Sequence, residues 1–304
     1  QSPAVRTASD PATCTRQMMD LIDALIESEA LKIAPVGELF FYTSGTVGPY
    51  YINTECLFGG PGPTKELLDF IDAEADNPFF ALNLQERVRA RIDEDTRYRA
   101  VIDELTAAIL DAEEDGPSTW ISGGARRDWF FSLAVADSLD RPHLYLFKDG
   151  RAADVDSEGN LRFVDDLTDA TSVHIADLVT EASSYDRAWI PALRERGGEM
   201  VFSANVVDRA QGGMDVLKKA GVPATALLRV DGDLFSALSR KGLIDNEQLQ
   251  TLTAYFKDPQ SAMGEFLSQH PDFIQQSLNS DDERTVARAR QLVEQDPYDL
   301  GLKL

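Results

Sequence analysis

Between Thr119 and Val230, short apolar runs alternate with helical stretches, and that alternation constrains the fold more than any other property of the chain. The pattern predicts strands over 119–122, 143–147, 172–176, 200–207 and 224–230, and helices over 128–138, 185–196 and 213–220. Strands separated by helices cannot close as hairpins. They pair side by side through right-handed crossovers, which gives an α/β fold with a mostly parallel sheet flanked by helices. One exception, residues 150–164, reads as a hairpin with Ser157-Glu158-Gly159-Asn160 at its tip. With 304 residues and 43% hydrophobic content, the chain can bury one large core, alone or with an appendage.

The flanks read differently. Residues 10–30 carry Met18, Met19, Leu21, Ile22, Leu25 and Ile26 at helical spacing. Residues 36–58 give two short aromatic strands around a Thr-Ser-Gly-Thr-Val-Gly turn, and Gly-Gly-Pro-Gly-Pro at 59–63 breaks the chain. From Thr64 to Glu114 the pattern is helical, interrupted at 76–78, with one long charged helix near 83–113. After Leu234 it is helical again, punctuated by Pro259, Pro271 and Pro297. The expected division is therefore an N-terminal helix and aromatic hood (1–58), a helical insertion (59–116), an α/β core (117–232) and a C-terminal helical extension (233–304).

Composition excludes several functions. The net charge is −23, from 52 acidic and 29 basic residues, so nucleic acid and anionic membranes are repelled rather than bound. The acids are dispersed, which favours a solvated coat suited to high ionic strength over a tract that binds a basic partner. No apolar run is long enough for a membrane helix. The opening Gln-Ser-Pro-Ala-Val-Arg lacks the apolar core of a secretory signal, and Cys14 and Cys56 have no metal-like spacing. Reduced thiols in a cytoplasmic protein are expected. His143, His174 and His270 are scattered, and nucleophile-elbow, Walker and dinucleotide patterns are absent.

Three segments carry chemistry. In Ser172–Ser184, an apolar run ends in Asp177 and re-enters a helix through Thr180, Ala182, Ser183 and Ser184. Such a turn offers N–H groups and hydroxyls to an anion at a positive helix end, and its carboxylate can meet a sugar hydroxyl. In Ser122–Asp128, glycines let the backbone approach an anion while Arg126 and Arg127 add forked donors. A solvated helix start, with both arginines paired to surface acids, is the other reading, and Asp128 is the expected N-cap in both. In Phe40–Asn53, Tyr50 or Tyr51 can stack on a flat base, or the aromatics only close a core.

In this order, the segments resemble the type I phosphoribosyltransferases, most closely the orotate phosphoribosyltransferase family. Phe41–Tyr51 occupies the place of that family's Phe-x-Leu-Lys-Ser-Gly-x-x-Ser-Pro-Tyr hairpin. Gly123–Asp128 echoes its Gly-Pro-Ala-Tyr-Lys-Gly turn, and Ala176–Ser184 its Asp-Asp-Val-x-Thr-x-Gly-x-Ser loop. The resemblance covers about 30–58 and 117–232. It implies 5-phosphoribosyl 1-diphosphate with Mg²⁺ as ligand, transfer of ribose 5-phosphate to a pyrimidine-like base, and a homodimer. Asp177 and Arg127 would then serve catalysis, with Asp177 on the ribose diol. Thr180, Glu181, Ala182, Ser183 and Ser184 would form the 5-phosphate loop, and Gly123, Gly124, Ala125, Arg126 and Arg127 the diphosphate turn. Tyr50 or Tyr51 would face the base. The departures are Ala176 for the first acid, Ala182 for a glycine, Glu181 inside the phosphate loop, Thr43 for a lysine, Asp128 for a glycine, and the loss of a mobile cationic loop. Lys148 and Arg151 are the candidate substitute cations. A catalytically inactive nucleotide or phosphosugar sensor, or a partner subunit, is the alternative.

Overall fold

Residues 120–229 form one seven-stranded sheet in the computed structural model, which describes residues 21–113 and 116–302. Its strands are β1 (Trp120–Gly124), β2 (His143–Leu146), β3 (Ala152–Val155), β4 (Leu161–Phe163), β5 (Thr171–Val179), β6 (Glu199–Asp208) and β7 (Ala224–Arg229). Their spatial order is β7-β6-β5-β1-β2-β3-β4. Pairing is parallel from β7 to β2 and antiparallel through the edge hairpin β3–β4. From β1 the chain steps to β2 on one side, while β5 occupies the other. The crevice beyond the carboxyl ends of β1 and β5 is therefore the switch point where open α/β sheets bind ligands.

β5 is longer than its apolar run suggests. Val207 and Asp208 of β6 pair with Leu178 and Val179, so Asp177 lies within the strand rather than after it. Successive residues of β1 face opposite layers. A Cβ at Gly123 would meet Ser132 of helix Trp129–Ser138, and one at Gly124 would meet the Trp189 indole. Helix Trp129–Ser138 buries Phe130, Phe131, Leu133 and Ala134 because further helices cover it, and the Tyr98 hydroxyl donates to the Phe130 carbonyl.

The expected long charged helix is two helices, Phe80–Glu94 and Thr96–Ala112. Asp95 separates them: its carboxylate accepts the N–H groups of Arg97 (2.9 Å) and Tyr98 (3.1 Å). Apolar periodicity continues across the break, so the cap is what starts a new helix. The glycine-proline tract also starts one: Pro61 opens helix Pro61–Glu74, where a missing N–H costs nothing. Of the expected helix at 10–30, residues 21–27 are helical and 10–20 lie outside the described residues.

The described residues divide into two compact units, one holding 21–30 and Thr54–Val230, the other Leu31–Asn53 and 231–302. The aromatic hood thus groups with the C-terminal helices rather than with the N-terminal helix as expected. In this second unit Leu31–Ile33 pairs antiparallel with Tyr50–Ile52, and Phe40–Phe41 with Val47–Gly48. Leu39, Val47, Met263, Leu267 and Leu292 form its core. Asp231, Asp245, Asp258 and Asp282 cap four of its helices through side-chain hydrogen bonds, so part of the chain's acidity has a local structural use. Among the described residues no helix is long and apolar enough to cross a membrane, and Cys56 is buried.

Candidate functional site

A cavity of ≈ 290 Å³ lies at the switch point, and all its walls belong to the first unit. The turn after β1 supplies Gly124, Ala125, Arg126, Arg127 and Asp128. The end of β5 and its loop supply Asp177, Thr180, Ala182, Ser183 and Ser184. Lys148, just past β2, lines it as well. Gly123 does not: it packs β1 against helix Trp129–Ser138. Glu181 is exposed and absent from the walls, so its charge is not directed at the loop interior. Arg151 is also elsewhere, paired with Asp149 (2.8 Å) and lying over the Phe163 ring.

Asp128 corrects the sequence reading. It already has helical φ and ψ (−60° and −31°), and its side chain caps no N–H of its own helix. Instead Oδ2 accepts the Gly124 N–H and Oδ1 the Asp177 N–H, each at 3.0 Å. One carboxylate thus ties the turn after β1 to β5. The Ala125–Arg126 peptide bond in that turn is cis.

The loop after β5 is held from below. Gly213 donates its N–H to the Thr180 carbonyl (2.9 Å), and a Cβ there would lie 2.6 Å from that oxygen. Only glycine allows this approach. Ala182 has a φ of +56°, the left-handed conformation usually given to glycine, and its methyl is buried against the Tyr185–Trp189 segment. The loop therefore keeps a glycine-like path without the glycine. Among the described residues, the hydroxyls of Thr180, Ser183 and Ser184 make no hydrogen bond to protein, and all three line the cavity.

The cations have internal partners. Arg127 Nε lies 3.1 Å from Glu55 Oε1, with Glu55 buried, and Arg126 pairs with Asp72 of helix Pro61–Glu74. Lys148 is exposed and makes no ion pair among the described residues. Burial raises the Asp177 carboxyl well above the usual range, and the charges of Asp128 and Glu55 add to this while Arg127 opposes it. Beneath the cavity His174 is fully buried, its Nδ1 3.0 Å from Ser122 Oγ and its Nε2 3.6 Å from Asp128 Oδ2. His143 bonds Ser132 (2.8 Å), and burial together with His174 lowers its pKa to about 3.

Tyr50 is not available to a base. It is 4% exposed and packs on Tyr255 and Phe235 in the second unit, with ring centroids 5.9 and 6.3 Å away. Tyr51, in the same unit, is 38% exposed beside Phe40.

No family model matches the chain, and no curated protein matches it. Among solved structures, UMP synthase of Leishmania donovani is similar with a TM-score of 0.51 at 18% identity, over 82% of this chain and 47% of that one. The match thus spans about half the length of that relative. Orotate phosphoribosyltransferases of Francisella tularensis and Aeropyrum pernix match at 14% and 17% identity with TM-scores of 0.49 and 0.46. They cover 77% and 74% of this chain and 96% and 99% of their own. The chain has the type I phosphoribosyltransferase fold.

Within the phosphoribosyltransferase fold, the cavity joins two segments that the sequence had singled out separately. Sequence reasoning missed Glu55 and Asp72, the partners of the arginine pair, and Gly213, which supports the Thr180 loop. Only Gly213 left a signal, a Gly-Gly pair opening a helix. Chemically, the walls offer unspent hydroxyls, one unpaired ammonium and two guanidiniums against two carboxyls, of which Asp128 is occupied by backbone N–H groups. That set suits a polyanion bearing hydroxyl groups.

Proposed function

We propose that the chain binds a phosphorylated ribosyl ligand of the 5-phosphoribosyl 1-diphosphate type in the switch-point cavity. The observation that carries this reading is the convergence of Thr180, Ser183 and Ser184 with Arg126, Arg127 and Lys148 around one small cavity. The 5-phosphate sits in the 180–184 loop, the ribose diol faces Asp177, and the diphosphate meets Arg126 and Arg127. Mg²⁺ fits only as part of such a ligand. Asp177 would hold such an ion together with the diphosphate it arrives with, once the ion's charge draws the proton from that buried carboxyl, and the ion would neutralise charge on the diphosphate.

Transfer of the ribosyl group is the second reading, favoured by Lys148 lining the cavity without a partner. A ring nitrogen of a base bonds to the ribose C1 as the bond from C1 to the diphosphate oxygen breaks; the diphosphate leaves with both electrons, and the proton lost by the ring nitrogen passes to water or to the released diphosphate. Lys148 and the two arginines stabilise the charge that develops on it. Loss of the first loop acid at Ala176 weighs toward binding without turnover, as in a sensor. A homodimer is proposed on resemblance alone and is checked by light scattering.

The test is calorimetric titration with 5-phosphoribosyl 1-diphosphate and Mg²⁺ in high salt, repeated on Arg127→Ala and Asp177→Ala. Micromolar binding that both substitutions abolish supports the site. No heat at millimolar ligand refutes it. Release of diphosphate in the presence of a base separates transfer from binding.

A further inference from the structure

A second cavity of ≈ 650 Å³ in the first unit shares Ala125 and Arg126 with the anion cavity. Its apolar walls are Phe80, Trp129, Phe147, Leu161 and Phe163. The rings follow one another at angles rather than stacking. Phe80 and Trp129 lie 6.2 Å apart at 63°, Trp129 and Phe147 5.5 Å apart at 77°, and Phe147 and Phe163 6.0 Å apart at 54°. Phe80 gives one face to Phe70, stacked at 11°, and Phe163 one face to Arg151, which leaves no more than one face of each for a flat guest. Phe163 is 51% exposed on edge strand β4, with the Arg151 guanidinium 4.5 Å from its ring centroid as its polar cover.

Charge narrows the guest. Both cations at this cavity are engaged, Arg126 by Asp72 and Arg151 by Asp149. Asp76 also lines it and has no partner among the described residues. The unspent charge is therefore negative, which repels a carboxylate and accepts N–H groups.

We infer that this cavity seats a flat aromatic heterocycle that is neutral and bears an amino group, and that it excludes rings carrying a carboxylate. The inference rests on the proposed function for the contents of the adjoining cavity. A phosphorylated sugar there and a ring here would meet across Ala125 and Arg126, as acceptor beside donor. Residues 71–80 of the inserted helices build one wall, so the ring seat gives the insertion a function.

The experiment titrates the full chain calorimetrically with adenine, as the neutral amino-bearing ring, with orotate, as the carboxylated one, and separately with inorganic diphosphate. Adenine is expected to bind at least about tenfold more tightly than orotate. Phe163→Ala, at an exposed position, weakens adenine about tenfold or more and leaves diphosphate unchanged. Asp76→Lys shifts the preference toward orotate. Adenine giving no heat, binding Phe163→Ala as tightly as the unaltered chain, or losing to orotate overturns the inference. Diphosphate failing to bind while adenine binds overturns the proposed function and leaves the ring seat standing.

Discussion

Replacing Glu55 with glutamine should tighten diphosphate binding, because Glu55 competes with the ligand for Arg127. Its Oε1 lies 3.1 Å from Arg127 Nε. An anion on the open side of the same guanidinium would sit roughly 6 Å from that carboxylate, where two unit charges at an effective dielectric of about 20 repel by about 2.8 kcal/mol. The Arg127 side chain is 53% exposed, so solvent screening cuts this substantially. About half survives as a working value, which corresponds to roughly a tenfold gain in affinity. Asp72 provides the internal control. Its pair with Arg126 is exposed on both sides, so Asp72→Asn should gain less than about fivefold. The assay is titration with inorganic diphosphate and Mg²⁺ at low and high salt, the gain from Glu55→Gln shrinking as salt rises. If Glu55→Gln weakens binding, Glu55 positions Arg127 rather than competing for it. If Asp72→Asn gives the larger gain, burial is not what makes Glu55 the stronger competitor.

Three further outcomes follow from the same geometry. Gly213→Ala places a methyl 2.6 Å from the Thr180 carbonyl and the Val179 side chain, so thermal unfolding should show about 1–3 kcal/mol lost and calorimetry should show weaker binding of phosphoribosyl ligand. Ala182→Gly relieves a left-handed alanine, worth about 1–2 kcal/mol, but loses a buried methyl and gains chain entropy on unfolding, so its stability should stay within about 1 kcal/mol of the parent. The third concerns pH. The Asp177 carboxyl holds its proton more tightly folded than unfolded, so its contribution falls as pH rises above the unfolded value. His143, lowered to about 3, does the opposite: its contribution falls as pH drops from about 6.5 toward 3. Between about pH 3.9 and 6.5 the two oppose, each with up to about 1.4 kcal/mol per pH unit. Asp177→Asn should therefore make denaturant-measured stability rise more steeply with pH in that window, and His143→Gln should flatten or reverse it.

The alternation of apolar and helical runs made the sheet legible, because pairing in a parallel sheet repeats one local rule from strand to strand. That these two loops would line one cavity was legible for a similar reason: Asp177 to Ser184 and Gly124 to Arg127 each hold their polar groups within a few consecutive residues. What stayed hidden depends on contacts distant in sequence. Tyr50 looks the same as a base platform or as a core residue until helices Gly232–Arg240 and Asn246–Lys257 supply Phe235 and Tyr255 against it. Asp128 read as a cap because a cap is a local event, whereas its bond to the Asp177 N–H spans two strands. Glu55 and Asp72 were the hardest to find, since in a chain with 52 acids one more carries no signal. Their placement nonetheless changes what that acidity means. A uniform coat would leave Arg126 and Arg127 to any anion in solution. Two carboxylates on one arginine pair make free phosphate, with its modest charge, a poor competitor, while a diphosphate that also engages the 180–184 loop through a second phosphate gains enough contacts to displace them. For the proposed ligand, selectivity for a doubly phosphorylated sugar over the single phosphate would then arise from repulsion built into the site, not only from attraction.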